Sequence, residues 1–218
     1  MSERPRIAII GMGNVGAGLG RTLARAGYEL RFGVRPGNDI SSVLEELRST
    51  GATVSAASPM EAARGAKLVF LGVPAAAAVE AVASLGDLGD AIVVDCTNPV
   101  RWDGGPVWAP PAEGSITQAI AKACPRVRVV KAFNGFGAEF HANPELPGID
   151  RGVTVFIAGD DVEAKQTVAS VAEAAGFSPV DAGPLRNAGV LENAAVLWIH
   201  LATVGGLGRE IALQLLRR

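Results

Sequence analysis

The sequence predicts an α/β fold with a doubly wound, mostly parallel sheet and a helical extension at the C-terminus. Short β-branched runs alternate with alanine-rich helical patterns, a glycine-rich turn joins the first run to the first helix, and 49% of the 218 residues are hydrophobic. Such alternation is typical of parallel strands connected by crossover helices that cover both faces. A chain of this length can bury one large core.

Eight runs have strand character, being short, apolar and rich in β-branched residues. They are RIAII (6–10), YELRFGV (28–34), ATV (52–54), KLVFLGV (67–73), AIVVDC (91–96), VRVVKAF (127–133), GVTVFIAG (152–159) and SPVDAG (178–183). Six segments between them predict helices, several with Ser or Asp near the start, at 14–26, 40–49, 58–64, 75–84, 115–123 and 161–175. Segment 100–114 holds three prolines and three glycines, so we expect a long irregular loop there.

Charge and composition exclude several classes of protein. The net charge is −2 and the pI is about 5.8, so no basic field attracts nucleic acid, and we expect no nucleic-acid partner. Only two cysteines occur, Cys96 and Cys124, which favours a reducing, cytoplasmic setting. Five glycines interrupt the apolar N-terminal stretch, which therefore does not read as a signal peptide.

The glycines at the first strand–helix junction have the spacing G-x-G-x-x-G. In the stretch GMGNVG, Gly11 permits a tight turn, Gly13 lets backbone approach a pyrophosphate, and Gly16 lets the helix pack closely on the strand. The N–H groups at the helix start, from Met12, Asn14 and Val15 as well as the glycines, would meet the phosphates. This predicts a Rossmann-type fold that binds a dinucleotide.

The residues after the second predicted strand indicate which dinucleotide. An NAD-binding protein has an acid there to hold the ribose 2′-hydroxyl, whereas this chain has Gly33, Val34 and Arg35 and no acid before Asp39. A guanidinium group offers forked donors to a phosphate, so Arg35 favours NADP over NAD. An arginine in a solvated loop is the alternative interpretation.

Polar and proline residues follow three later strands, where ligands of open α/β sheets bind. Val73 and Pro74 follow one strand, and Asn98 and Pro99 follow the next. The Asn98 amide could pair with a nicotinamide carboxamide, and Asn134 could wall the ring from a third strand end. Ordinary turn chemistry is the alternative for each residue alone.

At these residues the chain resembles the NADP oxidoreductases that depend on the 8-hydroxy-5-deazaflavin coenzyme F-420. The likeness is carried by GMGNVG, GVR, GVP, DCTNP, KAFN, AGD and AGPLRNAGVLE with LWIHLA, in this order. The resemblance implies that NADP binds the glycine turn and Arg35, and that the nicotinamide lies near Pro74 and Asn98. It also implies direct hydride transfer to a stacked deazaflavin, with no catalytic side chain.

Three positions depart from the pattern of this family. Val34 stands where a hydroxyl residue is usual, Ala75 and Ala76 where a bulky residue is common, and Gly135 where a threonine is common. The missing hydroxyl removes one expected donor to the 2′-phosphate, and the small residues would widen the crevice.

The C-terminal stretch carries no charge from Asn193 to Gly208, a length of 16 residues that falls short of the roughly 20 needed to span a membrane. We therefore expect no membrane partner and a helix that covers the site, forms the seam of a homodimer, or both. Its apolar contacts would come from Leu191, Leu197, Leu201 and Val204. This divides the chain into an NADP-binding domain, 1–181, and a C-terminal extension, 182–218.

No cluster of His, Cys or carboxylate residues has the spacing of metal ligands, and no metal is expected. His200, flanked by apolar residues, is expected to be a core histidine, His141 a loop residue, and Cys96 a small buried residue. The sequence thus predicts an oxidoreductase that transfers hydride between NADP(H) and a deazaflavin or similar flat acceptor. The alternatives are an NADPH-dependent flavin, ferric or small-carbonyl reductase, and a non-catalytic NADP-sensing module.

Overall fold

A computed structural model describes residues 4–216. Its strands are β1 Ile7–Ile10, β2 Leu30–Gly33, β3 Val54–Ala57, β4 Leu68–Leu71, β5 Ile92–Asp95, β6 Val100–Trp102, β7 Pro106–Trp108, β8 Arg128–Lys131, β9 Thr154–Ile157 and β10 Ser178–Asp181. Its α-helices are α1 Asn14–Arg25, α2 Ser41–Ser49, α3 Pro59–Ala63, α4 Ala78–Ala83, α5 Ile116–Ala123, α6 Ala138–Ala142, α7 Val162–Ala174 and α8 Ala188–Ala202. Short 3-10 turns, Ala75–Ala77 and Leu185–Asn187, precede α4 and α8.

Six parallel strands form the main sheet, in the order β3-β2-β1-β4-β5-β8. The order reverses at β1, which pairs with β2 on one side and β4 on the other, and this is the switch point at which such sheets bind ligands. The prediction of a doubly wound, mostly parallel sheet with a C-terminal helix is confirmed.

Alternate residues of the central strands enter two separate cores, because successive side chains of a strand point to opposite faces. Ile7, Ile9 and Phe70 belong to one core, whereas Ile10 and Leu71 belong to the other. Burial of each large apolar side chain stabilises the fold by about 1.5–3 kcal/mol. Covered on both faces, β1, β4 and β5 are fully buried, which explains their continuous apolar runs.

Strands β9 and β10 form a separate parallel pair beside the main sheet. An antiparallel bridge between Lys131 and Ala158 joins this pair to the edge strand β8, with two backbone hydrogen bonds of 2.8 and 3.0 Å. All eight predicted strands are present, although β3 begins at Val54, where the predicted run ended. The six predicted helices are present as well: five lie within one residue of their expected bounds, whereas α4 begins three residues late, after the 3-10 turn Ala75–Ala77.

The prediction of an irregular loop at 100–114 is wrong for its first half. Strands β6 and β7 form an antiparallel hairpin that pairs Val100 with Trp108, closed by a turn in which Gly104 has φ +66°. Asp103 followed by two glycines is a hairpin signal between two short β-type runs, and Pro106 is tolerated because it begins its strand. The many Pro and Gly residues of segment 100–114 obscured this hairpin signal.

Both histidines lie elsewhere than expected. His141 is buried in α6 rather than placed in a loop, and His200 is exposed on α8 rather than buried in the core. The apolar neighbours of His200 were misleading because consecutive helical residues point to different faces, and Trp198 takes the buried one.

Helix α8 is shorter than the charge-free stretch suggested, since it ends at Ala202 and residues 203–216 fold back without helix. The turn uses Gly206 and Gly208, both with positive φ. The returning segment is fixed by Gln214, which accepts hydrogen bonds from the Thr154 backbone and hydroxyl at 2.8 and 2.9 Å. No helix within residues 4–216 is long and apolar enough to cross a membrane.

Candidate functional site

The glycine turn at the start of α1 is shaped by close backbone contacts. Gly11 has φ +93°, and a Cβ there would lie 2.6 Å from the Gly72 carbonyl oxygen. A Cβ at Gly16 would overlap the Gly11 carbonyl. These two glycines are therefore required by the fold itself.

Gly13 differs from them, because a Cβ there would meet only the Gly72 carbonyl oxygen, at 4.0 Å. Gly13 is exposed and is the N-cap of α1, which has no side-chain cap and no acidic residue in its first turn. The free N–H groups of a helix start attract anions. The turn thus forms an open cradle beside Gly13, next in the chain to Met12, Asn14 and Val15, at a helix start without a side-chain cap.

Arg35 lies in a turn beyond the carboxyl end of β2. The backbone N–H of Asn38 donates to the Arg35 carbonyl at 3.1 Å, with Pro36 and Gly37 between them and Gly37 at φ +86°. Pro followed by a left-handed Gly is typical of a type II turn. The Arg35 side chain is exposed and makes no side-chain hydrogen bond or ion pair with any residue in 4–216. Val34 beside it is half-buried.

Asn98 and Asn134 are brought together at the carboxyl ends of β5 and β8. The Asn98 amide donates to the Asn134 carbonyl at 2.8 Å, and the Asn134 amide donates to Asn98 Oδ1 at 2.8 Å and to the Leu191 carbonyl at 3.1 Å. Asn134 has therefore used both of its donors, whereas Asn98 keeps one N–H and one lone pair. Pro99 is buried. After β4, Val73 is half-buried and Pro74 is exposed.

A buried ionic cluster lies directly behind these strand ends. The Lys131 ammonium group contacts Asp95 Oδ2 at 3.0 Å and Glu192 Oε1 at 3.1 Å, and all three side chains are fully buried. Lys131 also donates to the Thr97 carbonyl oxygen. Burial raises the pKa of Glu192, and the neighbouring Lys131 charge opposes that rise.

Further donors surround both carboxylates of this cluster. Asp95 accepts from the Thr97 backbone N–H at 2.9 Å and the Thr117 hydroxyl at 2.7 Å. Glu192 accepts from the Ile116 backbone N–H at 2.9 Å and the Trp108 indole N–H at 3.3 Å. The cluster thus ties α8, α5 and the β6–β7 hairpin to the loop that carries Asn98.

Sequence reasoning missed this cluster, although a signal was present. Asp95 and Lys131 each end a strand directly after two valines, and the register pairs them across β5 and β8. Opposite charges at the ends of neighbouring buried strands indicate an ion pair. Glu192 could be added only in three dimensions, because it is 61 residues from Lys131 in the chain.

Among the residues that the structure describes, the Thr97 hydroxyl is the one buried side-chain polar group without a hydrogen-bond partner. Buried polar groups are nearly always paired, so an orphan beside Asn98 points to a partner outside the chain. Cys96, next to it, is buried, and burial raises the pKa of its thiol far above the usual range, so that it is not a reactive thiolate.

Comparison with known proteins gives a family. A family model described as "NADP oxidoreductase coenzyme F420-dependent" matches residues 6–99. The F420-dependent NADP reductase of Methanothermobacter thermautotrophicus is 31% identical over 212 residues, covering 90% of this chain and 88% of that protein. The chain belongs to the coenzyme F420-dependent NADP oxidoreductase family.

Two further relatives agree with this family. The crystal structure of a candidate F420-dependent NADP reductase from Arthrobacter sp. FB24 matches with a TM-score of 0.86 and 28% identity, over 98% of this chain and all of that chain. The metalloreductase STEAP3 of Rattus norvegicus is 30% identical over 192 residues, or 87% of this chain. The chain spans only 36% of the length of that metalloreductase.

Family membership makes the chain an NADP-dependent oxidoreductase, and the geometry fits that cofactor. The open cradle at Gly13, the uncapped start of α1 and the orphan Thr97 hydroxyl all lie at or beyond the carboxyl ends of the central strands. No group of three or more His, Cys, Asp or Glu residues within 4–216 is arranged to hold a metal ion.

Proposed function

We propose that this protein transfers hydride between NADP(H) and a deazaflavin coenzyme. The observation that carries the proposal is the near full-length similarity to the F420-dependent NADP reductase, 90% of this chain against 88% of that one. Two flat coenzymes need mainly to be held face to face, since the hydride chemistry is their own. No nucleophilic side chain is required of the protein.

The chain's own residues would bind and orient NADP. The amides of Gly11, Met12, Gly13, Asn14, Val15 and Gly16 are proposed to hold the pyrophosphate, with the exposed Arg35 holding the 2′-phosphate. The remaining N–H and lone pair of Asn98 would orient the nicotinamide carboxamide, with Asn134 fixing the Asn98 side chain from behind. Val73, Pro74 and Pro99 would border the ring.

Small residues around the strand ends leave room for a second flat molecule. A Cβ at Gly135 would meet nothing within 4 Å. Near the end of β4, Ala75 is half-buried and Ala76 is exposed. This open space supports a second redox ligand, which a non-catalytic NADP sensor would not need.

A homodimer through α8 is part of the proposal. Val190 and Leu197 are 65% and 52% exposed and seven residues apart on α8, which aligns them on one face, and Val204, 51% exposed, lies in the turn that follows the helix. The exposed Asn193 and His200, four residues before and three residues after Leu197, lie on the same side of α8 and complete an exposed stripe. In an antiparallel pair about a twofold axis at Leu197, Leu197 of each copy would face Leu197 of the other, and Val190 would lie near the end of the other copy's helix.

The domain division and the location are also proposed. Residues 1–181 would bind NADP and 182–218 would cover the site and supply the dimer seam, as the contacts of α8 with Lys131 and Asn134 support. Two free thiols, Cys96 and Cys124, support a reducing cytoplasmic setting.

Absorption spectroscopy tests the activity. Protein, NADPH and oxidised coenzyme F420 are mixed, and the expected result is bleaching of the deazaflavin band, lost in the Gly13→Val variant. Parallel mixtures replace the deazaflavin with FMN, a ferric chelate or a small carbonyl compound. Reduction of only one of these would overturn the deazaflavin proposal in favour of that reductase, and NADPH binding without any reduction would favour a sensor.

A further inference from the structure

The buried cluster of Lys131, Asp95 and Glu192 holds more negative than positive charge. Six contacts from hydrogen-bond donors reach the two carboxylates, from Lys131 twice and from Thr97, Thr117, Ile116 and Trp108 once each. Burial raises the pKa of Glu192, but every one of these contacts comes from a donor, and donors to a carboxylate favour its ionised form. Two anions and one cation therefore leave an excess of one negative charge.

Within residues 4–216, Lys131 is the one cationic side chain that pairs with Asp95 or Glu192, so the excess is only partly neutralised. The Ile116 N–H belongs to the start of α5, whose dipole supplies roughly half a positive charge. All three charged side chains have no exposed surface, so neither water nor salt screens them as they would at the surface. A net negative potential remains at this edge of the sheet.

The potential lies beside the proposed nicotinamide site. Asp95 and Lys131 hold the backbone N–H and carbonyl of Thr97, and the next residue is Asn98. The oxidised nicotinamide ring carries a positive charge that the reduced ring lacks. A negative potential there would stabilise the oxidised ring more than the reduced ring.

We propose that the anionic excess of the Asp95–Lys131–Glu192 cluster makes the protein bind NADP⁺ more tightly relative to NADPH. The inference rests on the proposed NADP site. Asp95 and Glu192 act here through the field of the cluster and through the Thr97 backbone, as positioning residues. By thermodynamic linkage, tighter binding of NADP⁺ makes bound NADPH the stronger hydride donor.

Calorimetric titration with NADP⁺ and NADPH tests this without any turnover. Glu192→Gln keeps an acceptor for Lys131 and Ile116 and removes one charge. The NADPH to NADP⁺ ratio of dissociation constants should fall by on the order of fivefold, because the variant removes one buried charge that attracts the positively charged oxidised ring. Asp95→Asn is the second variant and should shift the ratio in the same direction; circular dichroism and thermal unfolding verify that each variant folds.

Two controls separate charge from structure. Thr117→Val removes the hydrogen bond that the Thr117 hydroxyl donates to Asp95 and leaves the charge of the cluster unchanged. It should weaken the binding of NADP⁺ and NADPH by the same factor. Glu46→Gln removes an exposed carboxylate of α2, which pairs with Arg21 of α1, and should leave the ratio of dissociation constants unchanged. A folded Glu192→Gln or Asp95→Asn protein whose ratio stays within about twofold of wild type overturns the inference. A wild type that binds neither nucleotide overturns the proposed NADP site itself.

Discussion

At the residue scale, Gly13 separates binding from folding. Gly13→Val is expected to fold, because only one backbone atom lies within 4.0 Å of the new Cβ, and to lose NADPH affinity by about 100-fold, equivalent to two hydrogen bonds to a charged phosphate. Calorimetry measures the affinity, and thermal unfolding measures the fold.

Gly16→Ala is the matched control for that variant. Its Cβ would overlap the Gly11 carbonyl, so the variant should lose stability rather than binding alone. Unchanged NADPH affinity in folded Gly13→Val would show that no phosphate lies at this turn.

Arg35 is expected to discriminate between NADPH and NADH. A hydrogen bond to a charged group contributes roughly 1.5–3 kcal/mol, and the exposure of Arg35 places it at the lower end, about tenfold in affinity. Arg35→Ala should reduce the preference for NADPH by that factor. Arg35→Asp should reduce it further, since a carboxylate repels the phosphate and accepts from a 2′-hydroxyl.

The control for Arg35 is Arg101→Ala, which removes an exposed arginine from the β6–β7 hairpin. The ratio of NADPH to NADH affinities is measured for all variants. A wild type that prefers NADH, or a ratio that Arg35→Asp does not change, would leave Arg35 as a solvated loop residue.

The burial of His141 should make the stability of the fold depend on pH. Burial lowers its pKa to about 4, against the effect of two backbone carbonyls, those of Phe133 and Gly137. The unfolded chain takes up this proton near pH 6.5, so the stability contribution is present above pH 6.5 and is lost as the pH falls toward 4. The loss amounts to about 3 kcal/mol in the free energy of unfolding.

Urea unfolding between pH 7 and pH 4 measures this loss. His141→Gln should be flatter over the range than wild type, whereas His200→Gln, which alters the exposed histidine, should keep the wild-type slope. Equal slopes for the two variants would assign the pH dependence to other groups.

At the element scale, the exposed stripe on α8 is expected to hold two copies together. Leu197→Glu would place two carboxylates at the axis of the proposed pair, and like charges there should give a monomer. Light scattering after size exclusion measures the mass. Val162→Glu, at a 61% exposed position on α7, is the control and should leave the mass unchanged; a monomeric wild type contradicts the seam.

The elements found correctly were those whose pattern is set by burial on both faces. Short apolar runs such as LVFL of β4, bounded by Lys67 and Gly72, indicate central strands by their length and flanks, and the glycines of GMGNVG locate the first crossover. Helix α6 was missed because its five residues are too short to show a helical period. Likewise, the pairing of Asn98 with Asn134 depends on strand order, which local pattern does not reveal.

At the scale of the whole molecule, Lys131 joins parts of the chain that lie far apart in sequence. Its backbone forms the bridge to Ala158, the residue after β9, and its side chain contacts Glu192 of α8. Loss of Glu192 would leave the Ile116 N–H and one Lys131 contact without their acceptor, and a buried donor without a partner costs about 1–3 kcal/mol, more for a charged group.

Detachment of α8 alone would therefore leave Lys131 and Asp95 buried without Glu192, while detachment of β9 would remove the edge pairing of the same residue. Opening α8 alone or β9 alone should therefore cost a large part of the free energy of global unfolding. In native-state hydrogen exchange, the amides of α8 should open with nearly the same free energy as those of β5 and β8. Faster exchange throughout α8 would show a separately opening lid; otherwise the extension and the sheet behave as one cooperative unit, and the site is assembled whenever the protein is folded.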